Sequence, residues 1–118
     1  MEKKELESRL IEFSVNVAEC ITGLPKHPAI IHLRDQVIRS SSSSALNYGE
    51  AQSAESKKDF IHKINIVLKE LRETQVNLKI ISRINSFSKH ESILSLLREN
   101  DELLAIFYTT LKTVRKNQ

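Results

Sequence analysis

The side chains that could do chemistry are four histidines, one cysteine, a run of five serines and two carboxylates three residues apart. His27, His32, His62 and His90 form no i, i+3 or i+4 pair, the spacing that aims two ligands at one metal from a single helix. Cys20 is alone, so it makes neither an intramolecular disulfide nor a zinc site; its apolar neighbours suit a buried structural thiol. Ser40 to Ser44 has no base beside it, so none of the five is an activated nucleophile. No glycine-rich phosphate loop and no Gly-x-Ser-x-Gly elbow occurs. Glu70 and Glu73 stand at i, i+3, but a di-metal bundle needs Glu-x-x-His, and Lys69 and Arg72 flank the pair instead. These carboxylates suit a polar network with Arg39, Asn47 and Glu50 that sets the register of a helical bundle. No catalytic residue, cofactor or metal is expected.

The elements that must position these groups are helices. Two glycines and two prolines in 118 residues leave few turns, and the breakers cluster at Gly23 to Pro28. Leu6, Leu10, Phe13, Val17 and Ile21 keep helical spacing and predict a first helix from Lys3 to Thr22. A second begins at Pro28, where the missing N–H is no loss, and runs to Ala51. The serine run lies inside it, in phase with Val37-Ile38 and Ala45-Leu46, so it reads as helix rather than linker. Its small side chains, Ser41 and Ser44 above all, predict a close helix or subunit contact, with hydroxyls bonded back to the previous turn. Phe60, Ile64, Val67, Leu71, Thr74, Leu78 and Ile81 form a near-heptad seam on a third helix, Lys57 to Asn85, which Ser53 or Ser56 can cap, Ser56 forming a capping-box-like pair with Asp59. A fourth opens on a capping box of Ser88 and Glu91, carries the stripe Ile93, Leu97, Asn100, Leu104, Phe107, Leu111 and Val114, and ends in the cationic tail Arg115 to Gln118.

The expected fold is therefore all-α, one antiparallel up-down-up-down four-helix-bundle domain over residues 1–118. No apolar run reaches the ~20 residues of a membrane span, and the first ten residues lack the apolar core of a signal peptide, so the expected location is the cytoplasm. Apolar positions on the third and fourth helices exceed one narrow stripe, which predicts a second buried face and an oligomer. The formal net charge of +3 is uneven: residues 1–24 carry −2, residues 25–52 +1, residues 53–86 +3 and residues 87–118 +1. The basic third segment directs attention to Lys57, Lys58 and Lys63, beside the positive end of a helix dipole, as candidate phosphate contacts. Two function classes remain: an accessory protein associated with RNA or DNA, and a scaffold that binds another protein.

Several local motifs occur in order: Pro25, Gln36-Val37-Ile38-Arg39-Ser40, Ser43, Asn47-Tyr48-Gly49-Glu50-Ala51, Ala54-Glu55-Ser56-Lys57-Lys58-Asp59-Phe60-Ile61-His62-Lys63, then Leu68-Lys69-Glu70-Leu71-Arg72-Glu73-Thr74 and Leu78. Over roughly residues 25–82 the chain resembles the four-helix-bundle proteins encoded by 23S rRNA intervening sequences. Val76-Asn77 stand where that family commonly has an aromatic pair. The resemblance implies a four-helix bundle, a ring-shaped homopentamer and no known enzymatic activity. A related protein of the same fold, the accessory variability determinant of diversity-generating retroelements, binds nucleic acid and a reverse transcriptase through a basic surface. The resemblance therefore extends to self-association, to RNA or DNA and to a partner protein of that kind.

Overall fold

In the computed structural model, residues 1–117 are described; Gln118, the last residue of the expected cationic tail, lies outside them. Four α-helices and a single 3₁₀ turn make up the described residues, with no strand among them. Helix α1 spans Lys3–Cys20, and the 3₁₀ turn Ile21–Gly23 tightens its last turn, so the α-helix ends two residues before the expected Thr22. Helix α2 spans Pro28–Gln52 with proline in its first turn; His27 Nδ1 accepts from the Ala29 N–H at 3.2 Å and caps it. Helix α3 spans Lys57–Ser82, and the Ser56 Oγ accepts from the Asp59 N–H at 3.0 Å, the expected cap. It stops three residues short of Asn85, because residues 83–89 turn to bury Phe87, 2 % exposed.

Helix α4 spans His90–Lys116, and the expected capping box at Ser88 and Glu91 does not form. Lys89 is the residue before the helix, and no side chain caps it. The reason is tertiary. Lys89 Nζ donates to the Glu19 carbonyl at 3.1 Å and to Thr22 Oγ1 at 2.8 Å, satisfying the end of α1. Its loop lies directly on Gly23, where a Cβ would come within 2.9 Å of Ser88 Oγ and 3.0 Å of Lys89 Cγ. Glycine at 23 is thus a matter of room rather than of backbone angle.

Partner residues run in opposite senses along neighbouring helices. Between α2 and α3, Glu50 meets Lys63 while Ser40 meets Thr74. Between α3 and α4, Lys57 reaches Asn117 while Leu71 meets Asn100. Between α1 and α4, Arg9 holds Glu99 while Glu19 meets Lys89. The core draws on all four helices; Leu10, Phe13, Val37, Ile64, Leu71, Leu78, Ile93, Leu103 and Phe107 are sealed from solvent. Tyr48 of α2 and Phe107 of α4 meet edge to face at 5.2 Å, a geometry the ring quadrupoles favour. Cys20 is buried there, as its apolar setting predicts. Burial pushes its thiol pKa up while nearby Lys89 pulls it down, and the net rise disfavours the reactive thiolate. No helix of the described residues is long and apolar enough to cross a membrane.

Candidate nucleic-acid interface

The α2 segment that carries the serines lies against α3 and is polar but almost completely satisfied. Ser40, Ser41, Ser44, Thr74 and Asn100 are fully buried. Ser41 Oγ donates to the Val37 carbonyl at 2.8 Å, and Ser44 Oγ to the Ser41 carbonyl at 2.6 Å, the back-bonding expected of serine inside a helix. Thr74 donates to the Glu70 carbonyl at 2.8 Å, and its oxygen shares a 2.7 Å hydrogen bond with Ser40. One buried side-chain atom among the described residues has no partner, Asn100 Oδ1; its amide nitrogen donates to the Leu71 carbonyl at 3.0 Å.

The polar network around Glu70 forms in part. Arg39 bridges Glu70 at 3.0 Å and Glu73 at 2.7 Å, the first carboxylate buried and the second half-buried. The hydrogen bond that Arg39 donates to Glu73, then the charge of Glu70, raise the Arg39 pKa further and keep it ionised. Asn47 and Glu50 stand apart from this cluster. Asn47 donates to the Ser43 carbonyl within its own helix, and Glu50 pairs with Lys63 at 3.3 Å. They sit two and three turns beyond Arg39, out of its reach. A pair absent from the sequence reading closes the other side of the molecule: Arg9 holds Glu99 through two bonds of 2.7 and 2.6 Å across the α1–α4 groove. That groove, about 850 Å³ and open, has Phe13 and Leu96 among its lining residues.

These pairs decide which cations are free. Of the three candidate phosphate contacts, Lys63 is engaged by Glu50 and Lys57 donates to the Asn117 carbonyl at 2.5 Å. Lys58 is exposed and in no ion pair among the described residues. The Lys57 bond has a larger consequence: it sets the start of α3 beside the end of α4, which carries Lys112, Arg115 and Lys116. Lys3 of α1 lines one depression with Ser56 and Lys57. Seven basic side chains therefore gather at this end, Lys3, Lys4, Lys57, Lys58, Lys112, Arg115 and Lys116, against the carboxylates Glu2, Glu5, Glu7, Glu55 and Asp59, with Glu50 paired to Lys63. Arg9, Arg39 and Lys63 are consumed in ion pairs, with Glu99, with Glu70 and Glu73, and with Glu50. Sequence reasoning missed Lys112, Arg115 and Lys116, treating the last two only as complements to the α4 dipole. Reversed helix pairing was the available signal, because it brings the end of α4 back to the start of α3.

The four histidines are exposed and scattered. No group of three or more His, Cys, Asp or Glu side chains among the described residues is placed to hold a metal ion.

Comparison with known proteins agrees with this architecture. A crystal structure of a protein with unknown function from the S23 ribosomal protein family, from Bacteroides thetaiotaomicron VPI-5482, is similar to this chain at a TM-score of 0.83 and 28% sequence identity. The alignment covers 95% of this chain and 99% of that one. No curated protein matches the chain. The model of a family described as 23S rRNA-intervening sequence protein matches residues 2–109, nearly the whole of the four helices. The chain belongs to the 23S rRNA-intervening sequence protein family.

Proposed function

We propose that the chain is an up-down-up-down bundle that assembles into a homopentameric ring and serves as a non-enzymatic accessory protein associated with RNA or DNA. The observation that carries the nucleic-acid part is the basic end, where seven cations from α1, α3 and α4 meet five carboxylates. Such a surface attracts phosphate through counterion release and needs no base-reading motif. Exposed apolar residues support self-association: Ile11 and Val15 on α1 are 50% and 43% exposed, and Ile38 and Leu46 on the neighbouring α2 are 38% and 67% exposed. Apolar exposure is therefore wider than the third and fourth helices alone; on the fourth, Leu94 contributes as well. In a ring each subunit repeats the basic end, and avidity raises a modest affinity.

Light scattering at micromolar concentration is expected to give about five times the chain mass of 13.5 kDa; a stable monomer refutes the ring. Structured RNA is expected to bind at about 50 mM salt and to weaken steeply by about 200 mM. A Lys58→Glu/Lys116→Glu variant is expected to bind about tenfold or more weakly at the lower salt, since two phosphate contacts become repulsions. Binding absent from the wild type at low salt refutes the nucleic-acid function and leaves a scaffold for another protein.

A further inference from the structure

The charges of α3 are sorted by face, and the sorting extends well beyond the basic end. Lys58, Lys69, Arg72, Lys79 and Arg83 are all exposed and follow one another at steps of 11, 3, 7 and 4 residues. Each step is close to a whole number of helical turns, so the five form one stripe. The buried positions of α3, among them Ile64, Val67, Leu71, Leu78 and Ile81, lie on another side of the helix. From Lys58 to Arg83 the stripe is about 38 Å long at ~1.5 Å per residue.

Its carboxylates have been moved out of the way. Helix α3 contains three, Asp59, Glu70 and Glu73, and all three look toward α2. Glu70 and Glu73 are held by Arg39, and Asp59 lines a depression with Leu46, Gly49 and Glu50. The neighbouring Lys69 and Arg72 do not pair with Glu70 or Glu73, contrary to what adjacency in sequence suggests. Lys69 takes part in no ion pair among the described residues, and Arg72 donates to the Tyr108 hydroxyl at 2.8 Å, keeping its charge. The remaining exposed residues of the stripe include Val76 and Ile80, which are apolar and bring no opposing charge.

We propose that this cationic face of α3 is a track along which the backbone of a duplex nucleic acid lies, starting at the basic end; this inference rests on the nucleic-acid function proposed above and assigns it a path and a ligand class. A duplex presents regularly spaced phosphates every ~3.4 Å along each strand, so ~38 Å of track spans about 11 base pairs, close to one turn. Single strands are bound by stacking bases on aromatic side chains. This face offers no row of such rings: Tyr108, beside Arg72, is the one exposed Phe or Tyr among the described residues. The contacts reach phosphate only, so binding is indifferent to sequence.

The test uses the full chain, a 24-base-pair DNA duplex and the same-length single strand, with affinity measured at 50 and 200 mM salt. Five phosphate contacts give a log–log salt slope of about −4.5 for each engaged subunit, a loss of about 500-fold over that range. Lys69→Gln/Lys79→Gln removes two contacts far from the basic end, and the slope is expected to fall to about −2.7, a loss of about 40-fold. Both side chains are exposed, so an unchanged melting curve serves as the control for folding. A slope unaltered in this variant, with wild-type binding intact, overturns the track and leaves the function at the basic end. Tighter binding of the single strand overturns the duplex assignment. A wild type that binds neither nucleic acid at 50 mM overturns both the track and the function it rests on.

Discussion

Asn100→Asp is expected to make folding strongly dependent on pH, removing about 4 kcal/mol of stability at pH 7 and little at pH 4. Asn100 is fully buried, and its amide nitrogen donates to the Leu71 carbonyl at 3.0 Å. An ionised carboxylate in its place has no proton to donate and sets a negative oxygen against that carbonyl. Its second oxygen occupies the position of Asn100 Oδ1, which has no partner. Burial without compensation raises a carboxyl pKa by about 3 units or more, and each unit corresponds to ~1.4 kcal/mol. A folded-state pKa above the unfolded value of ~3.9 means that the folded state holds the proton more tightly. The variant therefore keeps its stability below about pH 4 and loses it as pH rises toward the folded pKa. When protonated, the new side chain again donates to Leu71. Urea melts of wild type and variant at pH 4, 5.5 and 7 measure the difference. A deficit independent of pH would show that position 100 is reached by water. The isosteric Asn100→Leu is expected to melt at the wild-type temperature or above, because it removes both the donor and the orphaned oxygen together.

Ser41→Leu combined with Ser44→Leu is expected to destabilise the fold by about 2–6 kcal/mol, from overpacking of ~1–3 kcal/mol at each site. Neither serine is exposed, and both lie in the stretch of α2 whose Ser40 shares a hydrogen bond with Thr74 of α3. Each hydroxyl bonds a carbonyl of its own helix, so neither serine spans the gap to a neighbour. Their contribution is smallness, and the extra methylenes of leucine have nowhere to go in a close-packed interior. Ser42→Leu is the internal control. That side chain is half-exposed and bonds the Ile38 carbonyl at 2.8 Å, so leucine there is expected to change stability by less than about 0.5 kcal/mol. Thermal melts of the wild type and the two variants check this. Equal melting temperatures for the double variant and wild type would place the run at a loose contact.

Periodicity alone determined the helices, because burying one apolar face per element leaves a 3.6-residue repeat that no other structure satisfies. Leu6 to Ile21, Phe60 to Ile81 and Ile93 to Leu111 all sit where that repeat puts them. Pro28 and Ser56 also marked two helix starts correctly, since capping is a matter of a few adjacent residues. Ser88 misled for the same reason. Its local pattern was right, but Lys89 was claimed by the end of α1 and Phe87 by the core, and tertiary contacts outweighed a cap. Pairing among charges was legible only in outline. The sequence placed Arg39 with Glu70 and Glu73 but also added Asn47 and Glu50, because helical spacing tells which residues share a face and not which neighbouring turn they meet. The basic end was hidden for a stronger reason: Lys3, Lys57 and Arg115 are far apart along the chain. Composition measures net charge per segment, whereas a binding surface depends on charge per unit area. Only the reversed packing of α1, α3 and α4, together with the ion pairs that consume Arg9, Arg39 and Lys63, decided where the free positive charge lies.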